Sequence, residues 1–520
     1  MLRKGAIRKG EYFDSVTLMT VGRELSGMRG VLDAAVVMGT RENRAILENA
    51  GLMVPEFSSA GEADLMVAVK AVDEKAASSA VAAVDALLDA VKKRKSAASP
   101  SEARPRSLDA ALKVLPGADL ALISVAGRFA GQEARKALES GLHVMLFSDN
   151  VPLETEIELK RYARERGLLL MGPDCGTAII NGAPLGFANV VRRGDIGIVA
   201  AAGTGLQEVS SILSCEGAGV SQAIGTGGRD VKENVGGIMF LEGIKALAQD
   251  EGTKVLLLVS KPPAKSVLKA VLAKLKTIKK PVVAVFLGAE PELLKGTGIV
   301  AAQTLEEGAL AAVLLSKEGK KGLASLKKVL AGRRKQELSA AKKAGSRLKK
   351  GRRYLRGLFS GGTFCAEAQV LFKGRLTPLY SNAPTAGGMA LEDSLTSREH
   401  TVVDLGEDEF TVGRPHPMID YSLRNRRILE ESKDPAAAVL LLDVVLGYGS
   451  NMRPAQELVP VLREAAKRVA VVCSVTGTPQ DPQGKLAVEA ALRKAGAVVM
   501  PTNASACRLA ADIVETLEAP

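Results

Sequence analysis

Two glycine-rich turns give this sequence its clearest potential for chemistry. Each turn follows an apolar run, in the stretches "IGIVAAAGTGLQEVSSIL" and "AIGTGGRDV". Backbone N–H groups at such turns can hold an anion, usually a phosphate, and a helix that starts there adds a favourable dipole. The sequence therefore predicts a phosphate-binding region formed by Ala202, Gly203, Thr204, Gly205, Gly225, Thr226, Gly227 and Gly228.

A second group of candidate residues lies towards the C-terminus. The segment "GRPHPMID" contains Arg414, which could clamp a carboxylate or phosphate with two hydrogen bonds, and His416, which could transfer protons at neutral pH. The alternative is that the prolines shape a tight loop that His416 merely caps. Asn382 in "SNAPTAGG" and Asn451 in "LGYGSNMRP" are candidates for ligand contact, although turn chemistry alone also explains asparagine at such positions.

The other histidines and the cysteines are predicted to be mainly structural. His143 lies inside an apolar run and His400 precedes a strand, so both are expected to be core residues. Cys175 follows a Gly-Pro-Asp turn, where a free cysteine is usually a small buried hydrophobe, with a nucleophilic role as the alternative. The five cysteines lack the paired spacing of a metal site, so we expect no metal and a reducing cytoplasm.

The positive charge of the chain is concentrated in one segment. The net charge is +12, but residues 317–356 alone contain 16 Lys or Arg and 2 Glu, which leaves the rest of the chain close to neutral. This distribution and an aromatic content of 3% argue against nucleic-acid recognition. The segment is predicted to be a basic helical linker, either solvated or docked on an acidic partner or an anionic ligand.

The hydropathy pattern gives no indication of a membrane protein. The N-terminal stretch "MLRKGAIRKGEYFDS" lacks the apolar core of a signal peptide, and no uninterrupted apolar run reaches about 20 residues. We therefore expect a soluble, cytoplasmic protein without a membrane partner.

Alternating strands and helices must position the glycine turns. Continuous apolar strands such as "LALISVAG", "KVLLLVS" and "AVLLLDVVLGYG" are separated by helical patterns, which predicts an α/β fold with parallel sheets covered on both faces. Ligands bind beyond the carboxyl ends of the strands in such sheets. Composition breaks predict a small N-terminal α/β domain at 1–100, doubly wound domains at 107–193 and 194–316, the basic linker at 317–356 and a C-terminal α/β domain at 357–520.

Several stretches occur in the order found in a known family of enzymes. "LLLMGPDCGTAIINGAPLGF", "GDIGIVAAAGTGLQEV", "GVSQAIGTGG" and "KPVVAVFLG" resemble segments of the succinyl-CoA synthetase α subunit and its nucleoside-diphosphate-forming acyl-CoA synthetase relatives. A longer series, including "VVMGTRENRAIL", "YSNAPTAGG", "HTVVDLGEDEFTVGRPHPMID" and "CSVTGTPQDPQ", covers nearly the whole chain. By this series the chain is identified as a member of the FdrA family of bacterial acyl-CoA synthetase-like proteins.

This resemblance implies a fold and a set of ligands. It implies a Rossmann-like CoA-binding domain at 107–193 and flavodoxin-like, ligase-type domains at 194–316 and 357–520. The CoA side would be formed by Gly172, Pro173, Asp174 and Cys175, and Glu242 stands where the family has an acidic residue near its phosphohistidine. Other enzyme subunits and an oligomer are implied as partners, because the chain shows neither an ATP-grasp region nor a Walker A sequence.

One departure from the family changes the expected chemistry. No histidine occurs between His143 and His400, where the phosphohistidine of the synthetases should fall, so the usual phosphohistidine relay is not expected. The phosphate site itself is expected to remain, because backbone N–H groups supply it.

Three functions remain open at this point. The chain could act on a CoA thioester or acyl phosphate, as an acyl-CoA synthetase-like enzyme or enzyme subunit. It could instead be a component of an oxamate carbamoyltransferase in purine-ureide breakdown, in which phosphate cleaves oxalurate to oxamate and carbamoyl phosphate. It could also be a non-catalytic regulatory subunit that keeps the anion sites for sensing.

Overall fold

A computed structural model of the chain describes residues 2–11, 13, 15–40, 43–44, 47–48, 50–97, 105–349, 351–385, 387–411 and 415–518. The contacts within the chain divide it into two compact units. The first unit comprises residues 1–106 and 407–416, and the second comprises residues 107–406 and 417–520.

The first unit is built on a three-stranded antiparallel sheet. Its strands lie in the order β1-β3-β2, so the buried strand β3 is central. The predicted small α/β unit has these strands and helices: β1 Leu2–Arg8, α1 Ser15–Ser26, β2 Val31–Met38, β3 Leu65–Ala71 and α2 Glu74–Ala97. Strand β1 escaped prediction because Arg3, Lys4 and Arg8 interrupt its apolar pattern at the edge of the sheet.

The second unit begins with a small parallel sheet in the order β4-β5-β6, flanked by helices. Its elements are α3 Leu108–Val114, β4 Leu120–Ile123, α4 Gly127–Glu139, β5 His143–Leu146, α5 Leu153–Glu165 and β6 Leu170–Met171. His143 lies at the start of β5, where its Nδ1 accepts a hydrogen bond of 2.9 Å from the Leu169 N–H, so its role here is structural.

A seven-stranded sheet follows, in the order β13-β12-β11-β9-β10-β7-β8. Its elements are β7 Thr177–Ile180, β8 Ala183–Gly186, β9 Arg193–Ala200, α6 Gly203–Cys215, β10 Val220–Gly225, α7 Ile238–Gln249, β11 Val255–Ser260, α8 Lys265–Leu275, β12 Val282–Phe286, β13 Val300–Ala302 and α9 Leu305–Glu318. The predicted boundary at 193/194 is corrected here. Strand β7 pairs antiparallel with β10 on one side and with β8 on the other, so this hairpin belongs to this sheet and not to the domain before it.

A second seven-stranded sheet is parallel throughout, in the order β16-β15-β17-β14-β18-β19-β20. The remaining elements are α10 Leu326–Gly345, β14 Tyr354–Phe359, α11 Gly362–Phe372, β15 Leu379–Ser381, β16 Met389–Ala390, β17 His400–Asp404, α12 Asp408–Thr411 (in the first unit), α13 Ser422–Lys433, β18 Ala437–Val445, α14 Pro454–Ala465, β19 Ala470–Thr476, α15 Lys485–Lys494, β20 Val498–Met500 and α16 Asn503–Glu518. One hydrophobic core contains residues from both seven-stranded sheets. The predicted α/β class with parallel sheets is confirmed.

The basic segment 317–356 contains a helix, α10, but one face of this helix is packed. Arg508 on α16 donates hydrogen bonds of 2.6 Å to Glu337 on α10 and to Glu306 on α9. Glu337 and Ala341 are buried, whereas most of the lysines of the segment are exposed. The helix is therefore part of the second unit and its basic face is turned to solvent.

Candidate functional site

The two seven-stranded sheets each send one helix start to the same place. Helix α6 starts at Gly203 just after β9, and α11 starts at Gly362 just after β14, so both follow central strands of their sheets. Among the described residues, neither helix has a side-chain hydrogen bond at its cap, Ala202 or Gly361. The first N–H groups of a helix have no partner within it, so both starts offer donors and the positive end of a helix dipole.

Glycines allow the two helix starts to touch. A Cβ atom on Gly361 would lie 2.8 Å from Thr204 Cγ2 and 2.9 Å from its Oγ1. A Cβ atom on Gly205 would lie 3.0 Å from Thr363 Cγ2. The threonines are the second residues of their helices, so two Gly-Thr helix starts meet face to face and form the candidate anion site.

The same spacing continues along both helices. Glu208 and Glu367 each follow their Gly-Thr pair at the same distance in sequence and both are buried. Glu208 Oε1 accepts a hydrogen bond of 2.8 Å from the N–H of Asn503, and Glu367 Oε1 accepts one of 2.8 Å from the N–H of Leu305. Glu208 on α6 therefore caps α16, the last helix of the second large sheet. Glu367 on α11 caps α9, the last helix of the first large sheet. These two contacts fix α6 and α11 relative to each other.

The burial of Glu367 gives a pH-dependent stability. Burial raises the pKa of Glu367 from its usual 4.5 to about 7, so the folded state keeps a proton that the unfolded chain has already lost. As the pH rises from about 4.5 to about 7, the free energy of unfolding should fall by about 1.4 kcal/mol per pKa unit of difference. Urea unfolding at pH 5 and pH 7.5 measures this fall.

Glu367→Gln should flatten this pH dependence. The amide can still accept from Leu305, and the Asn503 amide can turn over because its Oδ1 has no hydrogen-bond partner among the described residues. Glu430→Gln, at an exposed position of helix α13, is the matched control and should leave the slope unchanged. An unchanged slope in Glu367→Gln would assign the pH dependence to other groups.

Further charged groups surround the helix starts. A Cβ atom on Gly362 would lie 2.5 Å from Asp404 Oδ2, which places the buried Asp404 carboxylate beside the start of α11. Burial and the Asp404 carboxylate raise the pKa of the Cys365 thiol, and the positive charge of Lys261, which follows β11, opposes this shift. Sequence reasoning missed this half of the site, and "LFSGGTFCAEA" after β14 was the available signal because it repeats a strand, a glycine turn and a helix.

Behind Gly361 and Gly362 lies a buried ion pair. Asp443 on β18 accepts hydrogen bonds of 2.7 Å from both the N–H and the hydroxyl of Ser360. Arg424 on α13 donates to the Asp443 carbonyl at 2.7 Å and to its carboxylate at 3.2 Å, and neither charged side chain is exposed. The pair holds the residue that precedes the α11 turn.

The second predicted glycine turn is a packed junction. The N–H of Thr226 donates to the Ala200 carbonyl at 2.8 Å, and the Thr226 carbonyl accepts from buried Lys160 at 3.1 Å. Gly225 and Gly227 face the backbone of Thr177 and Pro173 so closely that neither has room for a Cβ atom, while Gly228 lies near Ala201. The turn adjoins the α6 start, but the Thr226 N–H and carbonyl are already hydrogen-bonded, and its glycines pack between the small sheet and the first large sheet.

The start of the next helix is occupied as well. Asp230 accepts a hydrogen bond of 2.7 Å from the N–H of Phe240 in the first turn of α7, and it pairs with Lys160 at 2.8 Å. Glu242, the predicted acidic site residue, lies in α7 and pairs with Lys245 at 3.1 Å. The described contacts therefore place an internal carboxylate, rather than a free anion site, at the α7 N-terminus.

The Gly172–Cys175 turn packs against this junction. Gly172, Pro173 and Cys175 are buried and only Asp174 is exposed. Cys175 Sγ lies 3.5 Å from the carbonyls of Thr177 and Gly225, and burial raises the pKa of its thiol to about 12. The predicted alternative of a nucleophilic Cys175 is therefore not supported.

Cysteine labelling should distinguish these environments. We expect N-ethylmaleimide to modify Cys215 alone in the native protein, because Cys175, Cys365, Cys473 and Cys507 are buried and Cys215 is exposed. Intact mass spectrometry at pH 8 should show one added label, and unfolding in guanidinium should raise the count to five. Native labelling of Cys175 at the rate of Cys215 would contradict the packed turn.

The C-terminal candidates do not form one cluster in the described contacts. Asn382 exchanges two hydrogen bonds with the backbone of Asp404, at 2.8 and 2.9 Å, so it supports the carboxylate beside α11. Asn451 donates to Ile419 and Glu457 at 3.0 Å and accepts from the N–H of Arg453 at 2.7 Å, which makes it a loop support.

The structure describes His416, the predicted proton-transfer residue, but not Arg414, the residue predicted to clamp an anion. Burial lowers the pKa of half-buried His416 to about 4, so this imidazole is neutral at pH 7 and is a weak base. Arg414 lies outside the described residues. His400 is buried, its Nδ1 accepts from the Leu355 N–H at 3.2 Å, and its predicted structural role agrees with this contact.

Three family models match parts of this chain, and one relative matches nearly all of it. Family models match residues 358–513 (CoA-ligase), residues 191–288 (CoA binding domain) and residues 1–105 (AllF, heavy metal-associated domain). The protein YahF of Escherichia coli (strain K12) is 40% identical over 520 residues, which cover 98% of both chains. This chain belongs to the YahF family.

Other relatives match only part of this YahF family member. The α subunit 1 of the ADP-forming succinate–CoA ligase of Archaeoglobus fulgidus is 31% identical over 175 residues, which are 33% of this chain and 58% of that protein. The apo structure of the dinucleotide-forming acetyl-coenzyme A synthetase 1 of Ca. Korarchaeum cryptofilum has a TM-score of 0.33 at 16% identity, covering 77% and 83% of the two chains.

These matches confirm the predicted relationship to the succinyl-CoA synthetase α subunit, and this YahF family member is an acyl-CoA synthetase-like protein. The name FdrA stays a prediction. The CoA-ligase match falls in the predicted domain at 357–520, whereas the CoA binding match at 191–288 lies after the range 107–193, where CoA binding was predicted.

The name of the N-terminal match implies a heavy metal, which the residues do not fit. Residues 1–105 contain neither cysteine nor histidine, the side chains that such metals prefer. Among the described residues, no three histidine, cysteine, aspartate or glutamate side chains lie together as a metal site requires.

In the part of the chain that the structure describes, no helix combines the length and the apolar character needed to cross a membrane.

Proposed function

We propose that this chain is a ligase-like enzyme component that holds a phosphate, or the phosphoryl group of an acyl phosphate, between the starts of α6 and α11. The contact between the Gly-Thr pairs of the two helices carries this proposal. Two helix N-termini at one place give several N–H donors and two positive dipole ends, which is more than a single glycine turn supplies.

The chain's own residues would bind and orient the reactants. The N–H groups of Gly203, Thr204, Gly362 and Thr363 and the hydroxyls of the two threonines would hold the phosphate oxygens. The Lys261 ammonium would offset the Asp404 carboxylate beside the α11 start. A phosphate oxygen would attack the carbonyl carbon of a CoA thioester, the C–S bond would break, and CoA would leave as a thiolate. The product is an acyl phosphate, which a nucleotide-binding partner subunit would consume.

The small parallel sheet, which precedes the CoA binding match at 191–288, would contribute a surface for the adenine end of CoA. Val125 and Phe129 are 45% and 52% exposed just beyond β4, at the carboxyl edge of that sheet. The Arg128 guanidinium lies 4.9 Å from the centre of the Phe129 ring. An apolar surface with a neighbouring cation suits an adenine ring and its phosphates, and carboxyl edges of parallel strands are the usual place for such ligands.

A second candidate reaction uses the same site. The absence of any histidine between His143 and His400 favours direct attack by free phosphate, because no phosphohistidine can form there. In the carbamoyltransferase reaction, phosphate would attack the carbamoyl carbon of oxalurate, the C–N bond would break and oxamate would leave. The non-catalytic alternative would keep phosphate binding without either reaction.

Phosphate binding tests the shared site. Thr204→Val and Thr363→Val each remove one hydroxyl from a helix start, and each is expected to weaken phosphate binding about tenfold, as the loss of a hydrogen bond to a charged group does. Isothermal titration with inorganic phosphate measures the change. Thr277→Val is the control, because its hydroxyl bonds only to the Lys274 carbonyl. Unchanged phosphate affinity in the double variant Thr204→Val/Thr363→Val would refute the site.

Product analysis separates the functions. Incubation of the chain with its partner subunits, phosphate and either acetyl-CoA or oxalurate should release CoA or oxamate, measured by chromatography. CoA release supports the ligase-like reaction and oxamate release supports the carbamoyltransferase. Phosphate binding without either product, together with full activity of the partners alone, would favour the regulatory subunit.

A further inference from the structure

A small cavity lies behind helix α6, away from its N-terminus. Its volume is about 150 Å³, and it is lined by the second half of α6, the end of β19 and the loops after β19 and β20, one face of α15 and Arg333 on α10. Ser211, Cys215 and Lys485 are among the residues that line it. All these elements belong to the second unit.

Two polar groups in this cavity have unused hydrogen-bonding capacity. Ser211 is 2% exposed, and its hydroxyl has no hydrogen-bond partner in the described part of the chain. Lys485 Nζ donates to the Gly477 carbonyl at 3.0 Å, while Glu489 Oε1 lies 3.9 Å away, too far for a hydrogen bond. A buried hydroxyl without a partner is costly, so a group that pairs with it is expected.

The corresponding place in the first large sheet is filled. Ser211 is the ninth residue of α6, and the ninth residue of α11 is Val370. Val370 Cγ2 would lie 3.2 Å from a Cβ atom on Gly288, which follows β12 as Gly477 follows β19. On α11, Val370 fills the space beside Gly288. On α6, Ser211 and Cys215 instead line an open, polar cavity.

Size and charge define what the cavity could hold. A cavity of about 150 Å³ accommodates roughly six non-hydrogen atoms, the size of benzene. Its lining includes three basic residues, Arg333, Lys485 and Arg493, and three glutamates, so their formal charges balance. Arg333 pairs with Glu216, and Arg493 with Glu489, which also lies 3.9 Å from Lys485. The Glu208 carboxylate accepts from the Thr476 hydroxyl and the Asn503 N–H. The Lys485 ammonium, with one hydrogen bond to Gly477, and the Ser211 hydroxyl therefore keep hydrogen-bonding capacity for one further acceptor group.

We propose that this cavity binds a small monocarboxylate, with its carboxylate received by Lys485 and Ser211. Ser211 lies eight residues along α6 from Gly203, a distance of about 12 Å at the rise of an α-helix. A carboxylate in the cavity therefore cannot reach a phosphate at the helix starts. The cavity is an accessory ligand site, independent of the function proposed above.

Protection of Cys215 tests this site in the intact protein. Cys215 lines the cavity and its Sγ lies 3.7 Å from the Gly477 carbonyl, so a bound carboxylate should shield it. Pyruvate, at millimolar concentrations, is expected to slow N-ethylmaleimide labelling of Cys215 at least fivefold, and titration calorimetry should show one binding event. Inorganic phosphate serves as the comparison anion.

Variants identify the two contacts. Ser211→Val gives α6 the valine that α11 has at the same position, Val370, and removes the hydroxyl. Lys485→Met removes the ammonium. Each variant should weaken pyruvate binding at least tenfold. Ser210→Ala is the control, because the Ser210 hydroxyl bonds only to the Gln207 carbonyl of its own helix. Equal protection in Ser211→Val and wild type, no protection by any carboxylate, or protection by phosphate alone would overturn the proposal.

Discussion

Gly361→Val is expected to weaken phosphate binding at least a hundredfold while both large sheets stay folded. The Gly361 backbone has φ −111° and ψ 115°, which valine adopts readily, so the change introduces no backbone strain. Its Cβ would lie 2.8 Å from Thr204 Cγ2 and 2.8 Å from Phe364 Cδ2, so the two helix starts must move apart. A hundredfold loss of affinity corresponds to about 2.7 kcal/mol.

Titration calorimetry with inorganic phosphate measures this loss, and circular dichroism reports the fold. Gly332→Ala in α10 is a control for glycine replacement, because a Cβ there meets nothing within 4 Å. Phosphate binding that survives Gly361→Val at full strength would mean that the contact between the helices does not form the site.

Asp443→Ala is expected to lower the free energy of unfolding by about 3–5 kcal/mol, the usual result of removing one partner of a buried ion pair. Asp443 and Arg424 are both fully buried. Removal of the carboxylate leaves the Arg424 guanidinium without its counter-charge and the Ser360 N–H and hydroxyl without an acceptor. Urea unfolding of the intact chain measures the effect.

The double variant Arg424→Met/Asp443→Ala distinguishes the cause. If the buried charge is what destabilises the single variant, removing it should restore much of the stability. Glu464→Ala, which breaks the exposed pair with Lys467, should have no measurable effect. A double variant that is as unstable as Asp443→Ala would instead assign the loss to the Ser360 contacts and to the cavity left by the side chain.

Phosphate binding adds a second readout to this experiment. Ser360 immediately precedes Gly361, so a displaced Ser360 moves the start of α11. We therefore expect the double variant to recover stability but not full phosphate affinity. This outcome would separate the role of Asp443 in positioning the turn from its role in the buried ion pair.

Local patterns in the sequence were sufficient for much of the architecture. Continuous apolar runs such as "KVLLLVS" predict buried parallel strands because both faces of such strands are covered. The Ala202–Gly205 turn predicts a helix start at the carboxyl end of β9, since strand, glycine turn and helix adjoin in sequence. The missing histidine was visible without any structure, and so was the contrast between the basic segment and a nearly neutral remainder.

The pairing of distant segments required the tertiary structure. Gly225–Gly228 has the same local pattern as an anion-binding turn, but its Thr226 N–H is taken by Ala200 and its glycines pack against the Gly172–Cys175 turn. The partner of the α6 start is instead Gly361–Thr363, more than 150 residues away in sequence. Sequence periodicity reports which face of an element is buried, whereas the partner that covers it depends on how the sheets pack.

The amino-acid sequence by itself thus determined the α/β class, the positions of the strand-to-helix turns and the absence of a histidine between His143 and His400. Only the tertiary structure decided which turn remains open to an anion, because that depends on whether another part of the chain already occupies its N–H groups. The same holds for Cys175, which the sequence left as either a nucleophile or a buried hydrophobe. Burial, with its desolvation of the thiolate, decides for the second.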